Sequence, residues 1–229
     1  MDKALPMKII AHIKTDFPTK FGLPRQSGLV SSLRGRIVFE PEYRNPDALR
    51  GLEGYSHIWL LWIFSEAVRE NWSPTVRPPR LGGNKRVGVF ASRSPFRPNP
   101  IGLSAVKIEG IELTSSEGPV IIVSGADLMD GTPILDIKPY LPFADSRPEA
   151  VGGFSDAVKD YTLEVSMPEE YPADFPQELI EGLREVLAQD PRPSYQEDPD
   201  RIYGFNFAGF EVKFSVSENK LTVKDIVKA

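Results

Sequence analysis

RVGVFASRSPFRPNPIGLS, residues Arg86 to Ser104, places Arg93, Pro95, Arg97, Pro98, Asn99 and Pro100 in one loop between two apolar runs that read as buried strands. The prolines fix φ along the loop and remove backbone donors. Charge around it is one-sided. From Asn71 to Ile108 there are seven Lys/Arg (Arg77, Arg80, Lys85, Arg86, Arg93, Arg97, Lys107) and no Asp or Glu, in a protein of net charge -5. A basic patch that local in an acidic chain points to an anionic ligand, with nucleic acid the leading candidate. Arginines on a stiffened loop are held ready for phosphate rather than ordered on contact.

Outward from this loop the first half of the chain is a series of short apolar runs: Lys8–Ile13, Gly35–Phe39, His57–Phe64, Arg86–Ala91, Leu103–Ile108 and Val120–Ser124. Each is rich in Val, Ile or aromatics and bounded by Gly or Pro, as strands are. Only Asp47–Gly51 and Ser65–Glu70 read as helical here. Many strands with few helices between them predict a mainly β protein whose N-terminal part is a closed or nearly closed barrel, not a parallel βαβ sheet.

The second half has a different texture. From Asp145 to Ala229 there are 18 Asp/Glu and 9 Lys/Arg, a net of -9, so the rest nets +4. The polar stretch Ser146–Asp156 reads as a linker, giving expected domains at 1–148 and 157–229. Tyr161–Ser166 alternates like a strand. Pro176–Ala188 carries Leu179, Ile180, Leu183, Val186 and Leu187 at helical spacing behind a proline start. Ile202–Phe207 and Phe210–Val216 flank Ala208-Gly209 as a hairpin, and Lys220–Val223 adds a strand. A small C-terminal α+β domain follows.

Composition excludes several classes. At 229 residues and 41% hydrophobic the chain can bury a real core. With no cysteine there is no disulfide or thiolate metal site, and His12 and His57 alone cannot build a multi-histidine zinc centre. No apolar run is long enough to cross a bilayer, and the N-terminus lacks a signal-peptide pattern, so a cytoplasmic protein with no metal and no membrane partner is expected. No G-x-G-x-x-G, Walker-type loop or G-x-S-x-G elbow occurs.

Two further islands of turn residues accompany the basic loop. Pro24-Arg25-Gln26-Ser27-Gly28 is an ordinary surface turn or, with Gln26 and the donors near Gly28, a grip on a polar ligand. Asp130-Gly131-Thr132-Pro133 is a tight turn between strands or a wall of a site using Asp130. Binding loops cluster at barrel mouths, which favours reading the islands together. Asn99-Pro100 adds an amide oxygen beside a constrained carbonyl, acceptors suited to orienting a weakly basic exocyclic amine. A plain turn is the competing role.

PRQSGL (Pro24–Leu29), GLEGYSHIWLL (Gly51–Leu61), RPPRLGGNKRVGVFASRSPFRPNPIGLS (Arg77–Ser104) and DLMDGTPILDIKPYLPFAD (Asp127–Asp145) together resemble the YaeB/TsaA-like family of tRNA N6-methyltransferases. LAQDPRPSY (Leu187–Tyr195) resembles its bacterial branch. The resemblance implies a non-Rossmann β-barrel enzyme that uses S-adenosylmethionine, forms homodimers, and methylates threonylcarbamoyladenosine next to the anticodon of threonine tRNAs. Carried over by motif, it implies cofactor contacts at Gln26, Ser27, Gly28, Ser65, Glu66, Arg93, Leu103, Asp130, Gly131, Thr132 and Pro133.

The chemistry so implied is direct in-line transfer of a sulfonium methyl to the N6 amine, with Asn99 and Asp130 as candidate catalytic groups and positioning the main contribution. The base sits in a single-stranded loop, where splaying it out is cheap. Phe96 or Tyr140 would stack on it, and Arg80, Lys85, Arg97 and Lys138 would hold phosphates of the anticodon stem-loop. A non-catalytic RNA-binding module would need the basic loop without the Gln26 and Asp130 islands. A small-molecule methyltransferase would need the islands without the basic loop.

Overall fold

The computed structural model describes residues 6–78, 85–192 and 198–229. In the first half, strands β1 (Ala11–Lys14), β2 (Arg34–Phe39), β3 (His57–Ile63), β6 (Ile101–Ser115), β7 (Gly118–Ser124) and β8 (Pro133–Pro139) close into a barrel. The order is β1-β2-β7-β6-β3-β8, and every neighbouring pair is antiparallel. A short ribbon, β4 (Thr75–Val76) with β5 (Val87–Gly88), stands outside it.

Alternation along the strands fills the barrel. In β3, Ile58, Leu60 and Trp62 point in, where they meet Ile13, Ile37, Ile121 and Ile134. That is the period of two expected of a pleated strand with one face on a core. The inner face of β6 needs small residues where it passes Trp62. A Cβ on Gly102 would lie 2.2 Å from the indole, so glycine there lets the ring lie flat on the strand.

The second sheet runs β10-β11-β12-β9, from β10 (Tyr203–Phe207), β11 (Phe210–Ser217), β12 (Lys220–Lys228) and β9 (Glu164–Ser166), with β9 parallel to β12. The β10–β11 hairpin turns at Ala208 and Gly209, both at positive φ. A short helix, α1 (Pro142–Asp145), follows the barrel. The nine-residue helix α2 (Ile180–Ala188) covers the second sheet through Leu183, Val186 and Leu187.

The long β1–β2 connection belongs to the second core as much as to the barrel. Phe17, Val30 and Leu33 are buried in the same cluster as Phe205, Phe207 and Leu183, with Phe21 and Leu23 packed against it. Gly22, at φ 91°, lies under the Phe205 ring. Ser31 and Ser32 donate their N–H groups to the Glu185 carboxylate at 2.8 and 3.1 Å, and the Ser32 hydroxyl adds a third bond at 2.8 Å.

Several elements differ from the sequence expectation. The run Arg86–Ala91 is strand only at Val87–Gly88 and then tightens into a 3-10 turn, Val89–Ala91, that buries Val89. The strand expected at Leu103–Ile108 extends to 15 residues, because bulges after Ile108 and Glu112 let it keep pairing while the alternation slips. Ser65–Glu70 is helical only as a 3-10 turn at Ser65–Ala67. No helix among the described residues is long and apolar enough to cross a membrane.

Candidate functional site

A cleft of about 200 Å³ opens at the end of the barrel where β3 ends and β8 begins. Trp62, Phe64, Phe96, Leu23 and Met129 make most of its wall, and Ser65, Glu66, Asp127 and Thr132 supply the polar groups. Apart from Trp62, which lies in β3, they arrive from four connections. The β3–β4 connection delivers Phe64 to Glu66, the basic loop delivers Phe96, the β1–β2 connection delivers Leu23, and the β7–β8 loop delivers Asp127, Met129 and Thr132. The Phe64 N–H donates to Pro100 O at 2.8 Å, which pins the basic loop to the end of β3.

The floor of the cleft is a relay that runs from the buried Trp62 and Ser104 to the half-buried Asp127. Trp62 Nε1 donates to Ser104 Oγ at 3.0 Å, and Ser104 Oγ donates to Asp127 Oδ1 at 2.5 Å. Burial pushes the Asp127 carboxyl above its usual range. The Ser104 hydroxyl, the Arg93 charge and the Ser27 backbone N–H draw it back only in part. A carboxylate in an apolar cleft, short of a full counter-charge, is an invitation to a cationic or hydrogen-bonding ligand. Sequence reasoning missed this relay. Ser104 and Asp127 are 23 residues apart and face each other only because β6 and the β7–β8 loop meet here.

The first island sits beside that carboxylate. Gly28, at φ 81°, donates its N–H to Gly125 O at 2.8 Å, and a Cβ on Gly125 would come within 3.2 Å of the Gly28 backbone. Two glycines therefore let the loops lie together. The Gln26 side chain donates to Arg25 O and accepts from the Arg93 guanidinium. Arg25 in turn donates to Asp190 O at 2.6 Å and Arg192 O at 3.3 Å, tying the loop to the second domain. Asp190 is held down there: burial alone would raise its carboxyl, but the Arg192 guanidinium and the Tyr161 hydroxyl outweigh that.

Of the expected residues, Ser65, Glu66 and Thr132 line the cleft, Ser27 and Arg93 act on Asp127 in its wall, and Gln26 and Gly28 adjoin through their bonds to Arg93 and Gly125; the rest are placed differently. The Asp130 carboxylate accepts from the Thr15 N–H at 3.0 Å, while the N–H groups of Asp130 and Gly131 bond to Phe17 O and Ile13 O. These bonds hold the turn to the end of β1. Thr132 donates its hydroxyl to Met129 O at 2.6 Å, and Pro133 opens β8 opposite His12. Leu103 stands exposed on the outer face of β6, one residue from the inward Ser104. Asn99 is exposed, and its carbonyl accepts from the Ile101 N–H at 2.8 Å.

Of the expected RNA contacts, Lys85 is exposed, Arg97 bonds to Ser92 O at 3.4 Å, and Arg80 lies outside the described residues. Lys138 pairs with Asp136 at 2.8 Å, and the Tyr140 ring packs on Trp59 at 5.4 Å. Both lie toward the far end of β8. Lys138 is six residues along the strand from Thr132, roughly 20 Å from the cleft. The structure does not bring these two to the cleft of their own chain. No group of three or more His, Cys, Asp or Glu side chains placed to hold a metal occurs among the described residues.

Comparison with known proteins agrees with this geometry. Residues 12–146 match the tRNA-methyltransferase O N-terminal domain, and residues 158–229 match the TrmO C-terminal domain. The Escherichia coli K12 protein named tRNA (adenine(37)-N6)-methyltransferase is 44% identical over 219 residues, covering 91% of this chain and 92% of that one. A Pseudomonas aeruginosa protein named a putative S-adenosylmethionine-dependent methyltransferase is 42% identical over 210 residues, 89% of each chain. The crystal structure of TrmO from Pseudomonas aeruginosa superposes with a TM-score of 0.80 at 34% identity, covering 99% of this chain and 98% of that one. With both halves matched in order, and a β-barrel in place of a doubly wound sheet, this chain belongs to the tRNA-methyltransferase O family.

Proposed function

We propose that the protein is an S-adenosylmethionine-dependent tRNA methyltransferase that acts on N6 of adenosine 37, and that its substrate there is threonylcarbamoyladenosine in threonine tRNAs. The observation that carries this reading is the cleft itself, an apolar slot with the half-buried Asp127 carboxylate in its wall, rimmed by a basic loop. Its walls suit an adenine ring, and its carboxylate suits a positively charged ligand, so the residues present fit the cofactor. Bound there, S-adenosylmethionine supplies an electrophilic methyl group.

The chain's own residues would divide the work as follows. Backbone groups of Gln26, Ser27 and Gly28, with Ser65, Glu66 and the Asp130–Pro133 turn, hold the cofactor. Leu103 would contribute through its backbone, since its side chain faces out. The Arg93 bond to Gln26 keeps that loop closed. The Asn99 amide, exposed on the basic loop, orients the N6 amine, and Phe64 and Phe96 exclude water. Arg97, on the basic loop, and Lys85, next to the β4–β5 ribbon, bind phosphates, and Arg80, which lies outside the described residues, is a further phosphate contact. Asp130 supports the site by fixing its turn.

We place the division between catalytic barrel and second domain at the 148–157 stretch, and the protein in the cytoplasm with its RNA. A homodimer fits the same picture. Ile101 and Leu103 form an exposed apolar strip on the outer face of β6, suited to a second copy. Such packing gives Lys138 and Tyr140 a route to RNA held by the other protomer. Sedimentation equilibrium checks this: a dimer that Leu103→Asp splits supports it, and a monomeric wild type contradicts it.

The test of function is nucleoside mass spectrometry of tRNA from cells with and without the gene. The mass of N6-methylated threonylcarbamoyladenosine should disappear on deletion and return with the wild-type gene. An unchanged nucleoside profile would rule the reading out.

A further inference from the structure

The connection between β3 and β6 rises beside the cleft as two legs joined by cross-contacts. Nearest the cleft, the Arg69 guanidinium lies 3.9 Å over the Phe96 ring. Farther out, the rings of Trp72 and Phe90 meet at 6.0 Å and 34°. Beyond them the β4–β5 ribbon begins, where Arg86 donates to Thr75 Oγ1 at 2.8 Å. The Val89 N–H bonds to Pro74 O at 2.9 Å and Val89 is buried, so the legs are locked together and Phe90 is turned outward.

The middle rung is anomalous for a surface. Trp72 is 52% exposed and Phe90 73%, and they are neighbours. Isolated exposed apolar residues need no explanation, but a paired Trp and Phe on two legs locked together do. Their setting selects the ligand. Residues 71–108 carry seven cations and no carboxylate, and Lys85 and Arg86 stand exposed a few residues from Phe90. A partner with only apolar groups would leave Lys85 and Arg86, the exposed cations nearest Phe90, facing no counter-charge. A single-stranded nucleic acid offers both flat π-faces and phosphates, the two things this surface complements.

We infer that Trp72 and Phe90 form a stacking site for an unpaired base of the tRNA anticodon loop, next to the adenosine that enters the cleft. This rests on the methyltransferase reading above. Arg69 and Trp72 are three residues apart, at most about 10 Å of extended chain. A base on the Trp72–Phe90 pair and another against Phe96 are thus within reach of one short stretch of loop. Holding the flanking base fixes which nucleotide meets the cleft, so the pair sets position along the RNA as well as affinity.

The experiment is fluorescence anisotropy with a labelled anticodon stem-loop of a threonine tRNA, using full-length wild type, Trp72→Ala, Phe90→Ala and Trp72→Phe. Each alanine variant should bind the RNA about tenfold or more weakly, as loss of one base stack does. Trp72→Phe should recover most of that. The salt slope of the alanine variants should match wild type, because no phosphate contact is lost, whereas Arg86→Ala should flatten it by nearly 1. S-adenosylmethionine affinity, read by calorimetry, should not change. Alanine variants that bind RNA as wild type does would overturn the inference. So would a loss that tracks conversion of dimer to monomer in sedimentation, which would reassign the pair to a contact between copies. Wild type that binds S-adenosylmethionine but not the stem-loop would refute the RNA reading itself, independently of the variants.

Discussion

Gly22→Ala should damage cofactor binding from a position that touches no cofactor. Gly22 sits at φ 91°, a conformation that costs a residue with a Cβ about 1–2 kcal/mol. The added methyl would also lie 2.3 Å from Cδ2 of Phe205 and 2.7 Å from Cε2, so the ring must shift. That ring has nowhere easy to go, with Phe21, Phe207 and Phe214 centred 6.1–6.5 Å away. Overpacking of this kind costs roughly 1–3 kcal/mol. Reduced freedom of the unfolded chain returns about 0.4–1 kcal/mol, leaving a net loss of about 1–4.5 kcal/mol, centred on about 3. For a chain of this size that lowers Tm by roughly 2–18 °C, with about 8 °C the central value. Gly28→Ala is the internal control. It is also at positive φ (81°), but nothing lies within 4 Å of its Cβ, so it bears the strain without the clash and should lose only about 2–4 °C. Thermal melts followed by circular dichroism measure both, with calorimetric titration of S-adenosylmethionine alongside. Gly22→Ala should also weaken the cofactor, since the displaced loop loosens the Gln26–Arg93 bond four residues on. A Gly22→Ala protein that melts with Gly28→Ala and binds cofactor normally would refute the claim that the second domain holds this loop.

Other perturbations test other parts of the site. Asp127 has a raised folded-state pKa, so its contribution to apo stability is full below about pH 4 and falls as pH rises through the folded value. Asp127→Asn should therefore raise the apo Tm at pH 7 while weakening S-adenosylmethionine about tenfold, ~1.4 kcal/mol, in a pH-dependent titration; lower Tm with unchanged affinity would contradict this. Asp190 has a lowered pKa, so its contribution is present above about pH 4 and is lost as pH falls through the folded value. Asp190→Asn should narrow the difference in Tm between pH 7 and pH 3, measured by calorimetry. Trp62→Phe removes the donor to Ser104 in a buried relay and should cost about 1–3 kcal/mol by chemical denaturation, mostly from the polar group left short of a partner. Arg97→Ala should weaken tRNA binding and reduce its log–log salt slope by close to 1, with cofactor affinity unchanged.

What could be read in the chain depended on whether the signal was local. The alternation of Tyr203, Phe205 and Phe207, then Phe210, Val212 and Phe214, is written in consecutive residues, and the hairpin lies where Ala208-Gly209 marks it. The long β6 was foreshortened because its bulges break the period that defines a strand. The Arg86–Ala91 run contains Val89 and Phe90 in succession, which reads as strand but folds as a turn that buries one and exposes the other. The turns at Gln26–Gly28 and Asp130–Pro133 were visible as islands, since their glycines and prolines are local. The Trp62–Ser104–Asp127 relay was not, because each member looks ordinary in its own segment. The distance of Lys138 and Tyr140 from the cleft was hidden for the same reason. Their strand begins at the cleft, and only the barrel shows which way it runs.

The most direct measurement incubates the purified protein with labelled S-adenosylmethionine and two threonine tRNA transcripts, one carrying threonylcarbamoyladenosine at position 37 and one carrying plain adenosine. Label on N6 of the modified nucleoside, with little on the plain one, is the result expected of this cleft and this substrate. Label on both alike would confine the activity to adenosine 37 in general, and label on neither would contradict the proposal that the barrel is a tRNA methyltransferase.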